Sequence, residues 1–142
     1  MKKHTVFLLV VILIALLPVG YLALIYDSLP QQGAIHYGTD MKPDRMGDKS
    51  GLWVATGLFV VVSIVVYLLL TNINRFDAKR KGSQPSPTFN KLAFGLVVFM
   101  ALLNGVIITS AKGDIDLQKV LFPLMGLMFA FIGNYMNHIK PN

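Results

Sequence analysis

The sequence contains no cysteine and no glutamate, and charged residues make up only 14% of its 142 residues. Without cysteine the chain has neither a disulfide framework nor a thiolate for catalysis or metal binding. Apolar residues make up 54% of the chain, so few charges are left to cover a surface that faces water. We therefore expect a membrane protein and not a soluble domain.

Four apolar runs of about 20 residues, the length that crosses hydrocarbon as a helix, contain no Asp, Glu, Lys or Arg. They are Thr5–Tyr26, Leu52–Thr71, Leu92–Ala111 and Val120–Ile139. We predict an all-α integral membrane bundle of four transmembrane helices that forms a single membrane domain over residues 1–142. The first run is longer than the core of a signal peptide, so we expect it to be retained as a helix.

The distribution of basic residues predicts the orientation of the chain. Lys2 and Lys3 precede the first run, and the loop 72–91 is strongly basic, whereas the loop 27–51 has three basic residues and four aspartates. By the positive-inside rule, both termini and loop 72–91 are cytoplasmic and loop 27–51 is extracytoplasmic, in a multi-pass protein of the inner or cytoplasmic membrane. Tyr26 and Trp53 lie at the span ends on the outer side, as an aromatic belt would place them.

The net charge of +6 does not indicate a nucleic-acid-binding protein, because the basic residues concentrate beside the membrane. The cytoplasmic basic patch consists of Arg75, Lys79, Arg80 and Lys81. Its simplest roles are to fix topology and to attract anionic lipid, at about 1 kcal/mol per residue. A cytoplasmic protein partner is the second possibility.

Small residues and asparagines in the last two spans predict how these helices pack. Small residues four apart let backbones approach closely, and asparagine can form hydrogen bonds between helices. The motifs are Ala101-x-x-x-Gly105 with Asn104, and Gly126-x-x-x-Ala130 followed by Gly133-Asn134. Since the connection is short, we expect an antiparallel packed pair, with Pro123 in the first turn of the last helix, where its missing N–H has no cost. No Asp, Glu, Lys or Arg lies within the spans, which counts against a substrate pathway.

The outer loop offers weak metal-binding chemistry. Asp40, Asp44 and Asp48 are spaced four apart near His36. A calcium loop needs ligands at alternate residues, and a zinc hydrolase needs three good ligands. We therefore expect no metal, no cofactor and no enzymatic activity, and the loop is either a solvated connection or a recognition element.

The order of residues in this loop resembles the signature of a bacterial membrane domain of unknown function, DUF1648, which often precedes the SDP-toxin immunity family. The residues that carry this resemblance are Leu29, Pro30, His36, Pro43, Asp44, Gly47 and Lys49. A second segment looks like the GNY-x-x-x-IKPN segment of the immunity family, and comprises Gly133, Asn134, Tyr135, Lys140, Pro141 and Asn142. The chain departs from the signature at Gly33, Ala34 and Met41, where the signature has an aliphatic residue, a proline and a glycine.

This resemblance implies a membrane protein that senses or neutralises a secreted toxin peptide outside the cell and holds a transcriptional repressor at the membrane inside. Proteins of the family continue with further helices, so it also implies a short member or a chain truncated at Asn142. The main alternative is a small oligomeric transporter or exporter subunit, with Asn104 and Asn134 lining its path. Further alternatives are an extracytoplasmic enzyme that uses His36 and the aspartates, and a four-helix half of a larger assembly. Several of these functions are compatible with a homo-oligomer.

Overall fold

A computed structural model of the chain describes residues 2–37, 39, 43–77, 79, 87–113 and 115–137. The helices are α1 (Lys3–Ile25), α2 (Gly51–Thr71), the short α3 (Ile73–Phe76), α4 (Pro87–Ser110) and α5 (Leu117–Met136). A 3₁₀ turn at Tyr26–Ser28 follows α1, and two strands, β1 (Gln32–Tyr37) and β2 (Pro43–Asp48), separate it from α2. The predicted bundle of four long helices is confirmed.

The four long helices have the length and composition of membrane spans. Their mean hydropathy falls from 2.9 for α1 to 1.4 for α5. Large apolar side chains point outward, among them Leu24 and Val54, which are 87% and 75% exposed. Such a surface suits hydrocarbon and not water, so the described part of the chain is that of a multi-pass membrane protein.

Helix α4 lies at the centre of the bundle, because it packs against α1, α2 and α5. One core cluster joins α1, α2 and α4 and consists of Val11, Ala15, Val60, Tyr67, Ala93 and Val97. A second cluster lies where α1 ends and contains Leu22, Leu29 and Ile108. Helix α5 is the least enclosed of the four, with 6% of its span buried.

The last two helices begin earlier than their apolar runs predict. Helix α4 starts at Pro87, a residue type favoured at a first helical position, and not at Leu92. Helix α5 starts at Leu117 because the Asp116 carboxylate accepts a hydrogen bond from the Gln118 N–H at 3.1 Å. Pro123 therefore lies inside α5, so its predicted place in the first turn is wrong, and its ring interrupts the helical hydrogen bonds.

The segment between α1 and α2 contains a two-stranded antiparallel ribbon, which the sequence pattern did not predict. The opposite residues are Gln32 and Asp48, Gly33 and Gly47, Ala34 and Met46, His36 and Arg45, and Tyr37 and Pro43. Two irregularities in this register leave Ile35 and Asp44 without an opposite residue, as β-bulges do. Glycine and proline are poor strand formers, so the pattern of this segment gave little sign of strands.

Candidate functional site

The base of the ribbon is tied to the end of α1 through Lys49. Its ammonium donates a hydrogen bond to the carbonyl of Tyr26 at 3.0 Å and lies 4.4 Å from the centroid of the Tyr26 ring. Its backbone N–H donates to the carbonyl of Gln31 at 2.9 Å. The Tyr26 carbonyl also accepts from the backbone N–H of Leu29 at 3.1 Å. The C-terminal end of a helix carries partial negative charge, so a cation is favourable there. Lys49, which directly follows β2, thus contributes to the C-terminal cap of α1.

Asp48 makes the corresponding contact at the start of α2. One carboxylate oxygen accepts from the backbone N–H of Ser50 at 2.9 Å, and the other accepts from the side-chain amide of Gln31 at 3.1 Å. An anion at a helix start complements the helix dipole. The hydrogen bond from the Ser50 N–H holds the pKa of the Asp48 carboxyl below its ordinary value. The consecutive residues Asp48 and Lys49 therefore contact the start of α2 and the end of α1, respectively.

Aromatic and apolar contacts support these polar ones. The rings of Tyr26 and Trp53 lie 5.3 Å apart between centroids, so the end of α1 contacts the start of α2. Leu29 is only 5% exposed and packs with Leu22 and Ile108. We call the set that holds the ribbon the hairpin clamp. It comprises Tyr26, Leu29, Gln31, Asp48, Lys49 and Trp53.

The structure places the residues of the outer signature in two groups. Leu29 and Lys49 belong to the clamp, with exposed Pro30 following Leu29, and Gly47 lies opposite Gly33 in the ribbon. The remaining residues, Pro43, His36 and Asp44, lie in the half of the ribbon nearer the connection between its strands, where the bulges occur. The side chains of these three residues are outside the described part of the structure.

Of the loop residues considered as weak metal ligands, Asp48 alone has a side chain that the structure describes. Its carboxylate is engaged by Ser50 and Gln31, as described above. Asp40 and the side chains of His36 and Asp44 lie outside the described residues. Among the side chains that the structure does describe, no three His, Cys, Asp or Glu residues lie close enough to hold a metal ion.

Asn104, Asn134 and Tyr135 have different surroundings in the bundle. Asn104 is 2% exposed, and its amide donates to the carbonyl of Thr56 at 3.4 Å, between α4 and α2. Asn134 is exposed on α5, whereas Tyr135 is half-buried, with its ring 4.8 Å from that of Phe131. Lys140, Pro141 and Asn142 lie outside the described residues.

The close approach of α4 and α5 occurs at a glycine that the sequence analysis did not select. A Cβ added to Gly95 would collide with the ring of Phe131. The centroids of the Phe131 and Phe99 rings are 5.7 Å apart. By contrast, a Cβ added to Gly105, Gly126 or Gly133 would meet nothing within 4 Å. The two helices therefore pack through an aromatic ring on a glycine, and not through the predicted small-residue motifs.

Arg75 and Lys79 of the basic patch lie at the opposite end of α2 from the ribbon. Arg75 is exposed on α3, and the backbone N–H of Lys79 donates to the carboxylate of Asp77 at 2.9 Å. Arg80 and Lys81 lie outside the described residues. Arg75 and Lys79 thus lie on the opposite face from the ribbon in any membrane that α2 crosses.

Part of the chain is similar to a known protein family. Residues 13–60 match the family model described as Domain of unknown function (DUF1648). This range begins within α1, includes the whole ribbon and ends within α2, so the hairpin clamp lies inside it. The resemblance of loop 27–51 to this domain is therefore confirmed. No curated protein and no solved structure matches the chain.

Proposed function

We propose that this chain is a non-enzymatic membrane protein that senses or neutralises a secreted antimicrobial peptide, with the ribbon as its recognition element. The observation that supports this proposal is the hairpin clamp. Lys49 ties the base of the ribbon to the end of α1 and Asp48 orders the turn that leads into α2, so a backbone surface outside the spans is held in a defined position. A passive connection between two helices needs no such attachment.

The ribbon offers an extended peptide a suitable backbone surface. In a two-stranded ribbon each strand has one edge that faces away from the other strand, and an extended peptide can add to such an edge through main-chain hydrogen bonds. The register brings His36 opposite Arg45, beside the bulge at Asp44. Bulges re-aim side chains in recognition sites, so these residues are the candidates for selecting the peptide.

The clamp also gives a bound peptide a route to the opposite face. A displacement of the ribbon by a bound peptide would move the end of α1 through the Lys49 contact and the start of α2 through the Asp48 contact. Helix α2 leads directly into α3, which carries Arg75 of the basic patch. In this proposal a cytoplasmic repressor protein docks at the patch, and peptide binding outside changes how strongly it is held.

The proposal is tested by survival of the source strain after deletion of this gene. Cells of the deletion strain that carry the wild-type chain, His36→Ala or Asp44→Ala are exposed to culture fluid of the parent strain. The fluid is used either untreated or after digestion with a protease, which destroys any peptide in it. We expect the wild-type chain to protect against the untreated fluid, and the two variants to lose protection at equal membrane abundance. Lys119→Ala, at an exposed lysine on α5, is the matched control. Full protection by both ribbon variants would contradict the proposal.

The alternative function is a small oligomeric exporter. Its one supporting observation is that Asn134 is exposed on α5, where it could line a path between copies. Asn104, in contrast, is bonded to the carbonyl of Thr56 within one copy. Flux of peptide or common ions through vesicles that contain the purified chain, lost in Asn134→Leu, would favour the exporter over the immunity protein.

A further inference from the structure

An apolar groove lies between α1 and α4 in the half of the bundle nearer the ribbon. Its volume is about 320 Å³, which is near the lower end of the range of roughly 300–1,000 Å³ for small-molecule sites. The groove exists because Pro18, Ala101 and Gly105 have short side chains, and a Cβ added to Gly105 would still meet nothing within 4 Å. Its α1 wall runs from Ile14 to Tyr21, about 10 Å at the helical rise, against a leaflet depth of about 15 Å.

One end of this groove carries two hydroxyl groups. The Tyr21 hydroxyl lies 2.7 Å from the Thr109 hydroxyl oxygen. The Thr109 hydroxyl itself donates to the carbonyl of Gly105 at 2.8 Å, so its single proton is already used and Tyr21 is the donor of the pair. The phenolic oxygen of Tyr21 is then left as an acceptor at the polar end of the groove.

A cation lies just beyond the hydroxyl pair. The ammonium of Lys112, on the turn that follows α4, is 5.8 Å from the centroid of the Tyr21 ring, and its side chain is exposed. The next described carboxylate along the chain, Asp116, accepts a hydrogen bond from the Gln118 N–H and caps α5. Along the bundle axis the order is therefore apolar wall, hydroxyl groups and cation.

We propose that this groove binds one anionic phospholipid from the leaflet on the ribbon side. An acyl chain lies between Pro18 and Gly105, the ester-linked glycerol lies level with the Tyr21 and Thr109 hydroxyl groups, and the phosphate meets the Lys112 ammonium. A phospholipid such as phosphatidylglycerol has a matching order, because its apolar acyl chains are followed by an ester-linked glycerol and then by the negatively charged phosphate. The charge complementarity at Lys112 makes an anionic lipid the occupant and not a neutral one. This inference does not depend on peptide recognition.

Native mass spectrometry of the purified chain from micelles with equal amounts of phosphatidylglycerol and phosphatidylcholine tests the proposal. We expect one retained phosphatidylglycerol, with Lys112→Gln lowering its preference over phosphatidylcholine about fivefold. Gly105→Leu, which fills the groove, should abolish retention of both lipids. Lys119→Gln and Gly126→Leu, at an exposed lysine and an open glycine on α5, are the matched controls and should retain phosphatidylglycerol as the wild type does.

Three results would overturn the proposal. The first is equal retention of both lipids by the wild type, which would mean that annular lipid only is being observed. The second is unchanged preference in Lys112→Gln, a variant whose exposed position leaves folding intact. The third is a wild-type dimer that Gly105→Leu dissociates, since a second copy and not a lipid would then occupy the groove.

Discussion

At the scale of single residues, the adjacent Asp48 and Lys49 connect the ribbon to two helices. If Lys49 holds the end of α1, Lys49→Met should loosen the ribbon, because it removes a charged hydrogen bond and a cation–π contact and keeps the length of the side chain. We expect a loss of about 1–2 kcal/mol of local stability. Hydrogen exchange of the backbone amides in residues 32–48 measures this loss as faster exchange.

Lys119→Met is the matched control for this exchange experiment, because Lys119 is an exposed lysine on α5 at the same end of the bundle. It should leave exchange in the ribbon unchanged. Equal exchange rates in Lys49→Met and the wild type would show that the clamp does not depend on the lysine.

The depressed pKa of Asp48 predicts a pH dependence of stability. A carboxyl group whose pKa is lower in the folded state stabilises the fold above its unfolded pKa, which for Asp48 is near the ordinary value of 3.8. This contribution is lost as the pH falls below 3.8 and through the lower folded-state pKa. Thermal unfolding in detergent should therefore show a smaller loss of stability between pH 5 and pH 3 in Asp48→Asn than in the wild type, a range of about one unit either side of that value. The same pH dependence in both chains would contradict the hydrogen bonding described for this carboxylate.

The resemblance to a known signature selected Leu29 and Lys49, but it did not predict what they contact. Lys49 and Tyr26 are 23 residues apart, and the contact depends on how the ribbon returns to α1. Tyr26 and Trp53 were predicted to lie at the same membrane surface, and the structure adds that their rings touch. No local pattern could have selected Gln31, because its role depends on the position of the Asp48 carboxylate across the ribbon.

At the scale of helices, the contact between α4 and α5 depends on the space above Gly95. Gly95→Ala should destabilise the bundle by about 1–3 kcal/mol, because the new methyl group overlaps the Phe131 ring. The Gly95→Ala/Phe131→Leu double variant should recover much of this loss. Unfolding by denaturant in detergent micelles measures both changes.

Gly126→Ala distinguishes packing of α5 on Gly95 from packing through the small-residue motif that the sequence predicts. Nothing lies within 4 Å of a Cβ added at Gly126, so alanine there should be neutral or slightly stabilising through its higher helix propensity. A larger loss of stability in Gly126→Ala than in Gly95→Ala would contradict the packing seen in the structure.

The helices and the ribbon differ in how far the sequence could predict them. A membrane helix satisfies its own backbone, so an uninterrupted apolar run is enough to predict one. The helix starts were less predictable, because Pro87 and Asp116 begin α4 and α5 ahead of the apolar runs. The ribbon was not predictable from the sequence because an isolated two-stranded hairpin has marginal stability. Here it is held in place by its contacts with the end of α1 and the start of α2.

At the scale of the whole molecule, the proposed function requires the ribbon and the basic patch to lie on opposite sides of a membrane. The sequence predicts this orientation from its basic residues alone. The bundle is consistent with it, because α1 and α2 meet at the ribbon and α2 leads away to α3. Thr39, between the strands, and Lys79, after α3, are both exposed and thus report on the two sides.

The absence of native cysteine makes the most direct test simple, since a single introduced thiol is the only one in the chain. The measurement is the rate at which a membrane-impermeant maleimide labels Thr39→Cys in intact cells, with and without the parent strain's secreted peptide fraction. Lys79→Cys, labelled before and after permeabilisation, is the control. The account predicts that Thr39→Cys is labelled in intact cells and that the peptide fraction slows this labelling, whereas Lys79→Cys reacts only after permeabilisation. Labelling of Lys79→Cys but not Thr39→Cys in intact cells would contradict the account, as would a Thr39→Cys rate that the peptide fraction leaves unchanged.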